Sequence, residues 1–578
     1  MSSDDDIRIR PGRIRTSKTQ RARPFVAQAL AAAQKAGGRV SPSGRITSGR
    51  GSRFGRGRVA SVCANRLITG RSRGAVIKTR VVRHTARAAP LSAHVHYLRR
   101  DGVARDGADA RMFARETEDA DVKGFAERCA DDRHHFRFIV SPDDAVEMSD
   151  LRTFTRELMA QVEKDLGSRL DWIAVDHWNT EHPHIHVLLR GRADDGRDLV
   201  VARDYIKDGM RNRARDLITL ELGPRTDRDI RRTLERQIEA ERWTELDRQL
   251  VRDAGRAGVI DLAPAPDQKP DDYLALKVGR LRHLERLGLA DAIGSGQWVV
   301  AEEAEATLRA LGERGDIIKR MHRALTERGI ARSLTDYALA GETHGEAVIG
   351  RLVERGLDDE LRETAFAVVD GLDGHTHHIR LANLDAAGDS APGSIVELRS
   401  FDDSNGQRRV ALAVRSDLSV EAQVTADGAT WLDRQLVARD PVELGGGFGL
   451  EVRRAMEART RHLLSEGLAQ RQGERTVFTR DLLATLRQRE LDAVGQKLAS
   501  EKAMPFQTPG AGDFVAGTYR ERVTLASGRF AMIDDGLGFK LVPWTPAIEK
   551  HIGQHVSGVA RADGGINWSF GRKRGLGL

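Results

Sequence analysis

Cysteine is almost absent from this chain, with only two among 578 residues. Cys63 and Cys129 are too few for a disulfide framework or for a metal site built from cysteines. Tyrosine is also scarce, with five residues in the whole chain. No apolar run approaches the length of a membrane span, and the N-terminus lacks the apolar core of a signal peptide. The sequence therefore predicts a cytoplasmic protein that does not insert into a membrane.

Positive charge is concentrated at the N-terminus. Residues 1–80 contain 19 Lys and Arg against 3 Asp and Glu, so this segment carries +16 and the remainder −8 of a total of +8. Its cations include Arg8, Arg10, Arg13, Arg15, Arg21, Arg23, Arg50, Arg53, Arg56 and Arg58. Such a segment buries too little apolar surface to fold alone. We expect residues 1–72 to be a basic, largely disordered arm that binds nucleic acid without reading its sequence. A charged leader without function is the alternative.

Three histidines in the stretch DWIAVDHWNTEHPHIHVLLRG form the strongest candidate site. His177 lies on one predicted strand, and His184 and His186 share one face of the next. If the strands pair antiparallel, the three imidazoles converge and leave a coordination position open, as catalytic metal sites do. Ordinary buried or solvated histidines are the alternative, which His182 fits. Imidazole ligands favour Zn, Ni or Cu in affinity, so the residues alone do not select the metal.

One of the few tyrosines lies upstream of the histidines. Tyr97 follows a strand-like run, AVIKTRVV, and lies in a segment with a helix start signal. Arg99 and Arg100 come directly after it, and cations at this place can hold a phosphate and help a phenol to ionise. A surface tyrosine that caps the helix is the alternative.

Two further segments complete a domain. RFIVS predicts a strand that ends at a Ser-Pro pair with Ser141, and Ser149 is expected to cap an amphipathic helix. The order strand, helix with Tyr97, strand, helix and histidine hairpin predicts an α+β domain with an antiparallel central sheet. A competing tyrosine, Tyr205, opens another predicted helix, and we expect it to be structural.

In this order the motifs resemble those of a known family. A Tyr in a Y-L-x-R-x-G setting, a Ser-Pro after a strand and an H-x-N-x-x-H-P-H-x-H segment look like the three motifs of plasmid mobilisation relaxases. These enzymes belong to the HUH (histidine–hydrophobe–histidine) endonuclease superfamily. The likeness is to its P-type branch, which includes the T-DNA border endonuclease, and it covers residues 73–225.

The resemblance implies a divalent metal held by the three histidines, Mg or Mn rather than Zn. It also implies Tyr97 as nucleophile and Ser141 near the DNA phosphates. Asn179 stands where many relatives have Asp, so Asp176 and Glu181 remain open as the base or as a second layer around the site.

The same resemblance implies a relaxase that nicks one DNA strand at a transfer origin, forms a 5′-phosphotyrosine adduct, pilots the strand through conjugative transfer and rejoins it. The implied partners are single-stranded and supercoiled plasmid DNA, accessory relaxosome proteins and a type IV coupling protein. The implied location is a bacterial cytoplasm, with export of the DNA-linked form.

Three other functions stay open. A rolling-circle replication initiator or a transposase shares the chemistry and differs in its DNA target. A non-enzymatic DNA-binding scaffold explains the basic arm but gives the histidines no role. A plain metallophosphodiesterase uses water and produces no protein–DNA adduct.

The C-terminal half carries an internal repeat. A segment that begins RHL at Arg282 recurs at Arg461, and FAVVD at Phe366 recurs as FAMID at Phe530. A helix that ends in Gly, a hairpin and a second helix is the layout of a winged helix, and the Gly-rich β-patterned segments predict small barrels. Chance matches within helical sequence are the alternative.

The sequence thus divides into seven predicted parts. They are a basic arm (1–72), a relaxase-like domain (73–225), a helical linker (226–262), a winged-helix-like part (263–340), a barrel-like part with a helical insert (341–445), a second winged-helix-like part (446–500) and a barrel-like part with a basic tail (501–578). The tail, with Arg572, Lys573 and Arg574, is a candidate secretion signal by resemblance.

Overall fold

A computed structural model gives the fold. It describes residues 38–40, 46–48, 56–57, 60, 70–84, 91–99, 110–178, 183–255, 258–263, 273–339, 348–359, 361–362, 364–402, 406–561 and 564–569. Most of the predicted basic arm and the cations of the C-terminal tail lie outside these ranges. Two compact units are present, Met1–Ala240 with Thr244–Ala301 and Glu241–Trp243 with Glu302–Leu578. Helices and antiparallel sheets both contribute, which confirms the α+β class.

The first unit contains the predicted site. Its described elements are β1 (Gly38–Val40), β2 (Ile46–Ser48), β3 (Ala75–Arg83), α1 (Leu91–Leu98), α2 (Val122–Cys129), β4 (His134–Pro142), a short 3-10 turn (Ala145–Glu147), α3 (Leu151–Leu166), β5 (Trp172–His177), β6 (His184–Arg190), a π-helical turn (Tyr205–Gly209), α4 (Met210–Leu222), α5 (Asp227–Gln237), α6 (Glu245–Ala254), β7 (Val259–Asp261), α7 (Leu274–Arg286), β8 (Ala290–Gly294) and β9 (Gln297–Val300).

The central sheet of this unit has the order β3–β4–β6–β5, and all its pairings are antiparallel, as predicted. Side chains alternate between its two faces. One face packs against α3 and α4 in the largest apolar core. On the opposite face, α1 and α2 cover β5 and β6, where Leu98 and Phe125 meet Ile173 and Val175. The half of that second face formed by β3 is more open, because Val76 on this edge strand is exposed.

Several described residues of the predicted arm contact this domain, among them Arg56 and Arg71. The guanidinium of Arg56 donates to Asp195 at 2.9 Å, and its backbone forms a bridge with Val201. The arm is therefore held against the domain at this position.

Asp150 caps helix α3, so the prediction that Ser149 does so is wrong. The carboxylate of Asp150 accepts hydrogen bonds from the backbone N–H groups of Arg152 and Thr153. An ionised cap with two acceptor oxygens satisfies two free N–H groups, and its negative charge interacts favourably with the positive end of the helix dipole. Ser149 instead donates its hydroxyl to Glu221 at 2.8 Å.

In the described residues, the second unit contains long and short helices and three sheets. Its described elements are α8 (Ala304–Glu327), a 3-10 turn (Leu334–Asp336), β10 (Tyr337–Ala338), β11 (Ile349–Asp359), β12 (Thr364–Gly371), β13 (Thr376–Leu381), α9 (Leu384–Ala387), β14 (Ile395–Asp402), β15 (Arg408–Ser416), α10 (Val420–Val424), α11 (Trp431–Leu436), α12 (Phe448–Ser465), β16 (Ala469–Gln472), β17 (Arg475–Phe478), α13 (Leu482–Lys502), β18 (Phe514–Leu525), β19 (Gly528–Asp534), β20 (Phe539–Pro543), α14 (Pro546–Glu549), β21 (His555–Ala560) and β22 (Ile566–Ser569).

Two helix–hairpin segments, one in each unit, each contain a buried ion pair of the same arrangement. In the first unit, Arg280 on α7 binds both oxygens of Asp247 at 2.8 and 2.9 Å and donates to two backbone carbonyls. In the second unit, Arg459 on α12 binds both oxygens of Asp433 at 2.8 Å and donates to three backbone carbonyls. Each Asp is also the third residue of a helix whose Thr cap it bonds reciprocally. The four side chains are at most 1% exposed.

The two larger sheets of the second unit also match each other. Five antiparallel strands of each have the orders β13–β12–β11–β14–β15 and β20–β19–β18–β21–β22. The first sheet has a sixth strand, β10, which pairs parallel with β13. A short helix follows β13 in the first sheet and β20 in the second. The strands β11 and β18 each have an irregular register near the middle, at Leu352 and at Tyr519. Long helices pack on equivalent faces, α8 on the first sheet and α13 on the second.

His378 on β13 is a buried histidine whose pKa is lowered. Its ring stacks on Phe366 with the ring centres 5.6 Å apart, and the guanidinium of Arg320 lies 4.3 Å from the Phe366 ring centre. Burial, together with the nearby charge of Arg320, lowers the pKa of His378 from 6.5 to about 4. Between pH 6.5 and about 4, His378 therefore binds a proton in the unfolded state but not in the folded state.

We expect the free energy of unfolding of the second unit to fall by about 2–3 kcal/mol through His378 as the pH falls from about 7 to about 4.5. Urea unfolding of wild type and His378→Leu at both pH values measures this contribution. The variant should lose less stability on acidification than wild type. Equal losses in the two proteins would show that His378 is not responsible.

Candidate metal centre

The hairpin β5–β6 brings His177, His184 and His186 (the histidine triad) together on one face of the sheet. His177 pairs directly with His184 across the strands, and His186 pairs with Val175. The three ring centres lie 4.5, 5.0 and 5.4 Å apart, and one ligand atom from each ring lies within 4.8 Å of the others. The exposed fractions of the three residues are 0, 9 and 3%. The convergence predicted from strand alternation is confirmed.

The triad fits a single divalent ion. The Nε2 atoms of His184 and His186 lie 3.1 Å apart. Two nitrogens bound to one ion at about 2.0–2.1 Å lie about 2.9–3.4 Å apart in octahedral or tetrahedral geometry. Three neutral imidazoles leave at least one coordination position for water or a substrate oxygen, which a catalytic site requires. The donor set does not identify the metal.

Helix α1 fixes the orientation of His177. The Nε2 atom of His177 lies 2.9 Å from the carbonyl oxygen of Leu98, which can only accept, so Nε2 carries the proton. In the neutral ring Nδ1 then has the lone pair, and a backbone carbonyl on the other nitrogen is a common way to orient a metal-binding histidine. Leu98 ends α1, where carbonyls lack partners within the helix.

Tyr97 directly precedes Leu98 in helix α1. The Leu98 contact therefore places the backbone of Tyr97 beside the triad. The structure describes the backbone of Tyr97 but not its side chain. The nucleophile implied by the sequence motifs is thus on the element that contacts the histidine triad.

Ser141 lies on the same face of the sheet as the triad. It is two residues beyond Ile139 on β4, and Ile139 pairs with His186. Arg99 is exposed in the turn that follows α1. Three of the predicted site residues, Arg100, Asn179 and Glu181, lie outside the described residues.

Asp176 points to the opposite face of β5 from the triad, because neighbouring residues in a strand alternate. One of its carboxylate oxygens accepts from Arg152 Nε at 2.9 Å and the other from Trp178 Nε1 at 2.7 Å. Burial lowers the pKa of Arg152, but Asp176 and Glu118 outweigh it and raise the pKa overall. This placement makes Asp176 an anchor for Trp178 at the end of β5 rather than a base that faces the triad.

Comparison with known proteins matches the C-terminal half of the chain. Residues 277–408 and 397–577 match a family described as "Protein of unknown function (DUF3363)". Together the two matches cover just over half of the chain. The chain belongs to the DUF3363 family. No curated protein and no solved structure matches it.

The DUF3363 region contains most of the second unit and the buried network of Arg459, whereas the triad lies outside it. Among the described residues, none of the helices in or outside this region is both long and apolar enough to cross a membrane. Membership therefore assigns the C-terminal half to a family, and the candidate site stands on its own geometry.

Tyr205, the competing tyrosine ahead of the DUF3363 region, is structural, as expected. It is 1% exposed and donates its hydroxyl to Asp165 at 2.8 Å. Arg213 binds both oxygens of the same carboxylate at 2.8 and 2.9 Å. Burial raises the pKa of Tyr205 far above its usual value, and the charge of Asp165 raises it further. A buried phenol held in its protonated form is a poor nucleophile.

Sequence reasoning missed the cations Lys78 and Arg80 on β3 and Arg137 on β4, which lie on the triad face. Lys78 pairs with Ile139, and Arg80 pairs with Arg137. The sequence contains one indication of this: Lys78 and Arg80 lie two residues apart in the strand-like run AVIKTRVV, so they share a face of the strand. That signal fixes a shared face but not which face, because the register of β3 against β4 is set by the tertiary structure.

Proposed function

We propose that this protein is a relaxase, a strand- and site-specific DNA endonuclease that nicks one strand at a transfer origin and later rejoins it. The observation that supports this most strongly is the contact between His177 and Leu98, which joins the metal-binding face to the helix that carries Tyr97. A scaffold without catalytic activity has no use for three buried imidazoles arranged with an open position.

Tyr97 is proposed as the nucleophile. A divalent ion held by the triad, Mg or Mn by resemblance, would supply Lewis-acid polarisation of the phosphate under attack. The Tyr97 oxygen forms a bond to phosphorus as the bond from phosphorus to the 3′ oxygen breaks, and the leaving oxygen takes up a proton to become a 3′ hydroxyl. Glu181 remains the candidate for the base that accepts the phenol proton, because Arg152 and Trp178 engage Asp176.

The covalent step explains how the strand is rejoined. The phosphotyrosine ester retains the free energy of the broken phosphodiester, so attack by the 3′ hydroxyl restores the strand without ATP. A hydrolase that uses water would need no tyrosine and would release a free 5′ phosphate. This difference in product separates a relaxase from a metallophosphodiesterase.

We also propose that the two helix–hairpin segments are winged helices and that the two larger sheets of the second unit are small barrels, arranged as two copies of one unit. The matching networks of Arg280 and Arg459 and the equal strand orders support this duplication. The proposed partners are plasmid DNA, accessory relaxosome proteins and a type IV coupling protein, in a bacterial cytoplasm before export.

We expect His184→Ala to lower the rate of nicking at a transfer origin by at least about 100-fold while DNA binding persists. The variant removes one metal ligand at a site that is not part of the apolar core. Conversion of supercoiled plasmid to open circles measures nicking, and fluorescence anisotropy measures binding. His322→Ala, at an exposed histidine, is the matched control. Unchanged nicking in His184→Ala would reject the metal centre.

A further inference from the structure

The triad face continues into a positively charged strip on strands β3 and β4. Lys78 lies opposite Ile139, which lies opposite His186, so Lys78 and His186 occupy one row across three strands. Neighbouring strands are about 4.8 Å apart, which places the Lys78 and His186 backbones about 10 Å apart. Both side chains project from the same face of the sheet.

Arg80 extends the strip by one row. It lies opposite Arg137, which lies opposite Leu188 on the triad strand β6. Two residues along a strand advance about 6.8 Å, so the cations of Lys78 and Arg80 lie in consecutive rows on the same face. Lys78 is exposed and Arg80 is half-buried, whereas Arg137 is only 2% exposed.

The buried Arg137 is held by a pair of histidines. Its Nε atom donates to His135 Nε2 at 3.0 Å, and His135 Nδ1 lies 2.6 Å from His84 Nε2. Because His135 accepts at Nε2, its neutral ring donates from Nδ1 to His84. Arg137 therefore adds a buried positive charge on the neighbouring strand, directly opposite Arg80, where water screens charges less.

We propose that Lys78 and Arg80 bind consecutive backbone phosphates of the single DNA strand on its way to the triad, with Arg137 as the buried charge that supports them. This inference rests on the proposed function, because it assigns the path of that substrate. Cations in two consecutive rows can bind consecutive phosphates of a linear polyanion. The row that contains Lys78 also contains His186 of the triad. Arginine and lysine are the side chains that hold phosphates without reading bases.

The test compares Lys78→Gln/Arg80→Gln with Arg83→Gln/Lys123→Gln in the full chain. Arg83 is on β3 but faces the other side of the sheet, and both control cations are exposed. Anisotropy of a fluorescent single-stranded DNA is followed over about 50–300 mM KCl in EDTA, so that no cleavage is needed. Each DNA phosphate that the variant no longer neutralises should lower the slope of log affinity against log salt by about 0.7.

We therefore expect the slope to fall by about 1.4 and the Kd near 0.1 M salt to rise about 25-fold in the strip variant, with less than twofold change in the control. With Mn present, the strip variant should form adduct normally at saturating DNA and poorly at low DNA. If the two double variants bind DNA alike, the strip does not bind DNA. If wild type forms no adduct but the slopes still differ, the strip stands and the proposed nuclease activity fails. The measurement is repeated with inorganic phosphate in place of chloride at equal ionic strength. If the strip variant and the control variant then bind DNA with equal affinity, the strip is a site for small anions and the proposal is overturned.

Discussion

Replacing Tyr97 by Phe is expected to abolish covalent capture of DNA while metal binding is unchanged. Phenylalanine keeps the ring but lacks the oxygen that would bond to phosphorus. Enzymes that lose their nucleophile fall in rate by many orders of magnitude, so we expect a loss of at least about 1000-fold. SDS gel electrophoresis of a labelled oligonucleotide measures the adduct, and calorimetric titration with Mn measures the metal site.

Tyr205→Phe is the matched control for this experiment. It removes one hydroxyl at a buried tyrosine whose partner is Asp165, so it should lower stability by about 1–3 kcal/mol and leave the adduct intact. An adduct that persists in Tyr97→Phe and disappears in Tyr205→Phe would exchange the roles assigned to the two residues.

Replacing Arg459 by Met should destabilise the second unit by about 3–5 kcal/mol. The variant leaves Asp433 without its cation at a position where both side chains are fully buried. It also frees the backbone carbonyls that Arg459 binds. Hydrogen exchange of peptides from residues 420–478 measures the change locally, which matters because a chain with two units need not unfold in one step.

Two further variants test the cause of this destabilisation. Arg461→Met, two residues away on the exposed side of α12, should change stability by less than about 0.5 kcal/mol. Arg459→Met/Asp433→Asn should recover part of the stability, because no unpaired charge is then left in the interior. If the double variant is no more stable than Arg459→Met, the buried charge is not what makes the single variant unstable.

The histidine triad could be predicted from the sequence because its geometry is local. His177 and His184 belong to one hairpin, and the period of two that governs a strand decides which residues share a face. The position of Tyr97 near the triad depends on the packing of α1 against β5, which local sequence patterns do not predict. The prediction that Tyr97 belongs to the site came from the order of motifs in the family that the sequence resembles. In the structure, the carbonyl oxygen of Leu98 contacts His177 and so holds the end of α1 next to the triad.

Other features depend on contacts between distant segments and could not be predicted from local patterns. The family resemblance leaves Asp176 open as a base, but Arg152, 24 residues away, binds its carboxylate. The partners Arg459 and Asp433 are 26 residues apart on different helices, and an isolated Arg in a helix pattern usually indicates a solvated face. Ser149 and Asp150 are both good caps, and only the path of the chain into α3 decides between them.

Incubation of the full chain with labelled single-stranded DNA and Mn or Mg is the most direct test of the proposed activity. A relaxase should give an SDS-resistant complex in which mass spectrometry locates a phosphodiester on Tyr97, together with a free 3′ hydroxyl on the released fragment. The complex should not form in EDTA or in His184→Ala. Cleaved DNA with a free 5′ phosphate and no protein adduct, or intact DNA under all metal conditions, would contradict the account.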